Sequence, residues 1–225
     1  MAESDNALII FSRLPIGHEV KTRLAPLLND SQREGLMLAM WHDVFNEVIK
    51  LPESTQIFLY WTGSGDINNY KKFIPERFKT CRQSEGSLGV RMFNAINQVL
   101  ESGCKRVALI GSDVPLIKHE YILEAFAMLD NYDCVLAPSL DGGYWLTAMS
   151  RALHEVFNSD SWGPSSVLES ARKNIHNAGL TLGLAHELDD LDTPDDIKNF
   201  MKETSNKFTR TYKYIASLDL NFSLC

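Results

Sequence analysis

Four stretches of this chain place charged side chains beside small residues, in patterns suited to phosphate and metal chemistry. The first, Arg13 to Leu24 (RLPIGHEVKTRL), carries Arg13, Lys21 and Arg23 together with the hydroxyl of Thr22. Arginine offers phosphate a planar fork of donors and lysine a point charge, so this loop suits a polyphosphate. Taken alone it also reads as a solvated basic loop, and it lacks the G-x-x-x-x-G-K-[ST] spacing of a P-loop. The second stretch is Gly111-Ser112-Asp113-Val114-Pro115. There Asp113 can hold Mg2+ or Mn2+ against a diphosphate, because such an ion takes one or two carboxylates and fills its shell with water and phosphate. Ser112 adds a phosphate-binding hydroxyl, while capping of the next helix is the competing use of Asp113.

The third stretch is Asp189-Asp190-Leu191-Asp192, ahead of Thr193-Pro194. Carboxylates this close repel unless a cation or donors offset them, so a second metal ligand is expected among them. Asp195 and Asp196 instead suit a helix N-terminus. The fourth is Asp141-Gly142-Gly143. Its paired glycines let backbone approach a ligand, and Asp141 can orient or deprotonate an acceptor hydroxyl; a hairpin turn fits the same residues. Tyr144 and Trp145 after it read as core.

Such loops act together only if the fold gathers them, and the surrounding pattern is that of an α/β sheet. Short apolar runs alternate with helical periodicity. Ala7–Phe11 reads as a first strand, Gln56–Trp61 as a second, and Val107–Ile110 as a central strand covered on both faces. Further strands are expected over Asp133–Ala137, Tyr144–Ala148 and Thr181–Ala185. A long helix reaches to about Lys50 from a Ser31-x-x-Glu34 capping box. Others carry Leu88 to Val99 and end at Gly103, or run from Lys118 to Leu129, or open at Pro164. Between Thr62 and Lys79 only a short helix is expected. Thr193-Pro194-Asp195-Asp196 starts the last helix. In an open α/β sheet, ligands bind beyond the carboxyl ends of the strands, where all four stretches fall.

Bulk properties narrow the partners. The chain has 225 residues, 44% of them hydrophobic, and a net charge of −7. That length fits one core, and that charge disfavours a nucleic-acid backbone, so no nucleic-acid partner is expected. Four scattered cysteines form no C-x-x-C pair, the first residues are polar, and no apolar run can span a bilayer. A cytoplasmic protein without a membrane span is expected, and a homo-oligomer is compatible with the sequence. From Leu218, strict alternation of apolar and polar residues predicts an added strand in an extension over 205–225, beyond a domain at 1–204.

Together these residues resemble a family of GT-A-like glycosyltransferase proteins. The resemblance rests on Phe11-Ser12-Arg13-Leu14-Pro15 through Lys21-Thr22-Arg23-Leu24, on Ser87-Leu88-Gly89-Val90-Arg91, and on Gly111-Ser112-Asp113. It continues in Asp141-Gly142-Gly143-Tyr144, Trp162-Gly163 with Val167-Leu168, and Asp190-Leu191-Asp192-Thr193-Pro194. Arg13 departs from the lysine more frequent there. The resemblance implies a nucleotide-diphospho-sugar transferase fold, a three-layer, Rossmann-like, mostly parallel mixed sheet. It also implies metal on Asp113 and Asp192, and phosphates on Lys21 and Arg23. The 2-phospho-L-lactate and molybdenum cofactor guanylyltransferases share fold and motifs. Glycosyl transfer from a nucleotide sugar to a small-molecule acceptor, with Asp141 towards the acceptor, is the leading expectation. Nucleotidylyl transfer from a nucleoside triphosphate to a phosphorylated acceptor is the alternative, and a silent nucleotide-binding module the third.

Overall fold

The apolar runs pair into a single sheet because each must bury two faces. The computed structural model describes residues 5–158, 167–218 and 220. Among them seven strands pair: β1 (Asn6–Arg13), β2 (Gln56–Thr62), β3 (Phe78–Arg82), β4 (Arg106–Gly111), β5 (Cys134–Pro138), β6 (Tyr144–Met149) and β7 (Leu182–Leu184). Their order is β3-β2-β1-β4-β6-β5-β7. Only β6 runs against the others, pairing antiparallel with β4 and β5. Alternate residues of β1 and β4 enter two cores. Leu8, Ile10, Ala108 and Ile110 face one; Ala7, Ile9, Phe11, Val107 and Leu109 face the other. The result is the expected three-layer, mostly parallel mixed sheet.

The first core is closed by α1 (Asp30–Val48), α3 (His119–Met128), α5 (Pro194–Lys202) and α6 (Arg210–Ala216). The second is closed by α2 (Leu88–Glu101) and α4, described over Val167–Asn177. Met40, Trp41, Val44 and Val48 of α1 are wholly buried; each such side chain stabilises the fold by about 1.5–3 kcal/mol. No helix among the described residues is long and apolar enough to cross a membrane.

Several expectations are corrected. The capping box of α1 is Asn29 with Gln32, not Ser31 with Glu34: the Asn29 side chain accepts from the Gln32 amide and the Gln32 side chain from that of Asn29. The irregular stretch after Thr62 does hold a short helix, a 3-10 turn at Ile67–Phe73, but it then adds β3. That strand is an edge strand with three of its five residues exposed, so it lacks an apolar alternation. Pro164 and Trp162-Gly163 lie outside the described residues, as do residue 219 and residues 221–225 of the tail strand. What precedes that tail is helical, a 3-10 turn at Thr204–Phe208 followed by α6.

Helix α6 is docked by a cap supplied across the interface. Asp43 of α1 accepts from the Arg210 and Thr211 amides at 2.8 and 2.7 Å and from the Thr211 hydroxyl at 2.7 Å. A carboxylate there satisfies orphan donors and complements the helix dipole. Asp43→Ala should therefore cost about 1–2 kcal/mol, lowering the melting temperature by roughly 2–8 °C, with Asp43→Asn keeping much of that. An unchanged melting point in Asp43→Ala would show that this cap does not hold α6 in solution.

Candidate active site

Strand order reverses between β1 and β4, and the loops leaving their carboxyl ends face each other across a cleft of about 600 Å³. Beneath it, buried hydroxyls lock the two strand ends. Ser12 accepts from Trp41 Nε1 and from the Ser112 hydroxyl, both at 2.8 Å, and donates to the Arg13 carbonyl. Ser112 is thus tied into the floor as well as lining the cleft. A buried donor left unmade would cost about 1–3 kcal/mol, so the relay holds the strand ends in register.

The loop after β1 is built to present Lys21. Val20 and Leu24 anchor it in the core. Gly17 fits because a Cβ there would lie 2.1 Å from the Asp30 carbonyl oxygen. Buried Arg33 braces the loop from outside, donating to the carbonyls of Gly17 and Leu28 and to Asp30. Lys21 itself is left-handed, at φ 47° and ψ 43°, the one non-glycine residue with positive φ among those described. That conformation costs about 1–2 kcal/mol outside glycine, a strain of the kind that gathers at functional sites.

Its side chain, 4% exposed, reaches between two aspartates. Lys21 Nζ lies 3.2 Å from Asp113 Oδ2 and 3.6 Å from Asp192 Oδ1, and Arg23 Nη1 lies 3.0 Å from Asp192 Oδ2. Asp113 does not cap a helix: α3 has Lys118 at its N-cap, with no side-chain bond. A Cβ on Gly111 would sit 2.7 Å from Asp113 Oδ1, so glycine is needed for this carboxylate to turn as it does. The Leu191 amide donates to the Asp113 carbonyl and pins the acidic loop beside it. Asp196 completes a capping box with Thr193.

Of the carboxylates in the acidic stretch, Asp192 is not alone in reaching the cleft. Asp190 also lines the cleft, and burial, followed by the charge of Asp113, pushes its carboxyl up to about 7, against the pull of Lys21. Its neighbour Leu191 is core, so the stretch turns residues to different sides. Among the described residues, the tightest group able to hold a metal is instead Glu47, His119 and Glu120. It is tied up in ion pairs with Lys50 and within itself, and lies outside the cleft lining.

The β5–β6 connection forms the opposite wall. Asp141 Oδ1 accepts from the Ser139 hydroxyl at 2.5 Å and the Gly143 amide at 2.9 Å, so this carboxylate braces the hairpin turn. Gly142, at φ 88°, makes the turn. It is outside the cleft lining, whereas Arg13, Lys21, Thr22, Arg23, Ser112, Asp113, Asp141, Gly143 and Asp192 all line it. Trp145 is core and also borders the cleft, as does Tyr144, whose buried hydroxyl has no partner among the described residues. Gln83 and Arg91 complete the wall. Sequence reasoning missed both, because Gln83 follows the edge strand and Arg91 falls within a helical pattern where arginine reads as surface.

The chain is a transferase with the nucleotide-diphospho-sugar transferase fold. The chain belongs to the family described as "Uncharacterized protein conserved in bacteria (DUF2064)", whose model matches residues 47–164. It is similar to a 2-phospho-L-lactate guanylyltransferase of Methanocaldococcus jannaschii, 26% identical over 205 residues that cover 90% of this chain and 86% of the relative. A solved protein of Desulfovibrio desulfuricans G20, provisionally described as a nucleotide-diphospho-sugar transferase, superposes with a TM-score of 0.87 at 25% identity and covers 96% of each chain. A CMP:2-keto-3-deoxy-manno-octonic acid synthetase solved with CTP shares the fold, with a TM-score of 0.55 at 12% identity over 86% of this chain and 96% of that one.

Proposed function

We propose that this protein is a nucleotidylyltransferase. In this reading it joins a nucleoside triphosphate to a phosphorylated small-molecule acceptor and releases pyrophosphate. The observation that carries the reading is the buried Lys21 ammonium set between Asp113 and Asp192 at the point where the strand order reverses. This puts nucleotidylyl transfer ahead of glycosyl transfer, the order opposite to that expected from sequence, and the guanylyltransferase relatives support the change.

An acceptor phosphate oxygen attacks the α-phosphorus, the bond from that phosphorus to the bridging oxygen breaks, and its electron pair leaves with pyrophosphate. A phosphate oxygen needs no proton removed, so Asp141 serves here to position the acceptor wall rather than as a base. Lys21 and Arg23 stabilise charge on the phosphoryl group in transfer. Thr22 supplies a neutral donor, while Ser112 and Gly143, whose hydrogens go to Ser12 and Asp141, shape the floor and the far wall with Gly142 at the turn. The donor set of Asp113 and Asp192, with Asp190 beside them, is all carboxylate oxygen and suits Mg2+ or Mn2+. Such an ion would offset phosphate charge and polarise the P–O bonds.

Thermal stabilisation by nucleoside triphosphates, diphosphates and nucleotide sugars, with Mg2+ or Mn2+ and then with chelator, tests the reading. A ligand at a hundred times its dissociation constant adds about 2.7 kcal/mol, a shift of several degrees. A triphosphate, with guanosine triphosphate first on the panel, should give the largest metal-dependent shift and release pyrophosphate when an acceptor is added. A nucleotide sugar that stabilises as well as the triphosphate would restore glycosyl transfer, and no metal-dependent shift with any nucleotide would restore the silent module.

A further inference from the structure

The charge of the cations facing the carboxylates is largely offset within that cluster, which leaves them enough for the phosphoryl group in transfer and little for the rest of a triphosphate. Lys21 and Arg23 pair with Asp113 and Asp192, and Asp190 adds a further carboxylate to the same wall. A divalent ion there roughly balances the cluster, yet a triphosphate brings several more negative charges. The compensating charge has to come from elsewhere in the cleft. Arg13 and Arg91 line it, and among the described residues neither is ion-paired; Glu19 and Glu85 exert only weaker, longer-range effects on them. Burial first, and then the like charge of Arg13, disfavour the charged form of Arg91. An unpaired pair of like charges in a cleft is the arrangement an anion relieves.

Arg91 is held in place, while Arg13 stands exposed at the end of β1. Gln83 donates from Nε2 to the carbonyls of Tyr60 and Ser12, at 2.9 and 3.3 Å, which turns its Oε1 towards Arg91 Nη1 at 2.7 Å. Arg91 Nε is buried and has no partner. Arg13 lies two residues beyond Phe11, which pairs with Gly111, and Asp113 lies two beyond Gly111. Neighbouring parallel strands are about 4.8 Å apart. Arg13 and Asp113 thus leave neighbouring strand ends and line the same cleft.

We infer that Arg91, oriented by Gln83 and paired with Arg13, seats the pyrophosphate end of the nucleoside triphosphate. The inference rests on the nucleotidylyl reading above, and assigns Arg91 a role in binding the leaving group. A fork of guanidinium donors suits bridging phosphates better than an ammonium does.

Calorimetry with inorganic pyrophosphate, a nucleoside triphosphate, its monophosphate and 2-phospho-L-lactate, all with Mg2+, tests it. Arg91→Gln should weaken pyrophosphate and triphosphate at least tenfold and leave the monophosphate within twofold. Arg91→Lys should lose less, and it serves as the variant if Arg91→Gln does not fold. Unchanged pyrophosphate affinity in either folded variant overturns the inference. So does a loss confined to 2-phospho-L-lactate, which would give the arginines to the acceptor. Failure of the wild-type protein to bind either triphosphate or pyrophosphate would remove the nucleotidylyl reading itself, whereas binding that ignores Arg91 removes only this inference.

Discussion

Asp113→Asn should abolish metal-dependent nucleotide binding and lower turnover by about a thousandfold or more, while leaving the fold intact. The carboxylate stands just beyond the end of the central strand, over a third exposed, with Lys21 Nζ at 3.2 Å. An amide of the same shape keeps the fit above Gly111 but gives up the charge that a hard divalent ion requires. The size of the loss follows from removing charge stabilisation where charge develops, where a single donor is worth about 10²–10³ in turnover. Its measurement is a pair of experiments on one sample. Metal titration by calorimetry should show no binding at the wild-type concentration range, and thermal melting in chelator should stay near the wild-type value. Unchanged metal affinity would take Asp113 out of the site. A collapse of the chelator melting point would show instead that the carboxylate serves the fold.

Lys21→Met separates the ammonium from the carboxylates by giving the opposite sign. Methionine keeps an unbranched stem and the left-handed backbone, so strain and packing change little. What goes is a cation lying between Asp113 and Asp192, and with it the competitor for the place a metal would occupy. Metal affinity should rise by roughly tenfold, since a unit charge within 4 Å is worth about 1 to 4 kcal/mol between water and a protein surface. Turnover should nevertheless fall by about 10²–10³, because the ammonium no longer meets charge on the transferring phosphate. Tighter metal with slower chemistry is a combination that a merely misfolded loop cannot produce. If metal affinity falls along with turnover, Lys21 holds the carboxylates in place, and its role is structural.

Much of this arrangement is local and so legible in the residues. The runs that become β1 and β4 are apolar throughout, which strands buried on both faces require. Thr193-Pro194-Asp195-Asp196 contains a cap, a first-turn proline and dipole-matched carboxylates within four residues, and α5 starts there. The four loops could be recognised because phosphate and metal chemistry limits the residue types that serve it. The choice of Asn29 over Ser31 as the α1 cap was not legible, since both residues are good caps and only the entry of the chain from the β1 loop selects one.

Tertiary structure decided what depends on distant pairs. β3 exists because β2 offers an edge to pair with, as its own half-exposed sequence carries no strand period. The chain around 210 is helical partly because Asp43, far away in sequence, caps it. Asp141 reads from the sequence both as a base and as a turn residue, and only the folded turn brings Ser139 and Gly143 to one of its oxygens. Lys21 and Asp113 are 92 positions apart, and nothing in either loop states that the ammonium is buried against that carboxylate. Arg91 belongs to a motif of the resemblance, but it gained a role only through its unpaired buried Nε and its bond to Gln83. Burial patterns and caps repeat within a few residues and leave a local trace. Charge apposition and edge pairing are energies between separate segments, and they take a value only once the sheet has brought those segments together.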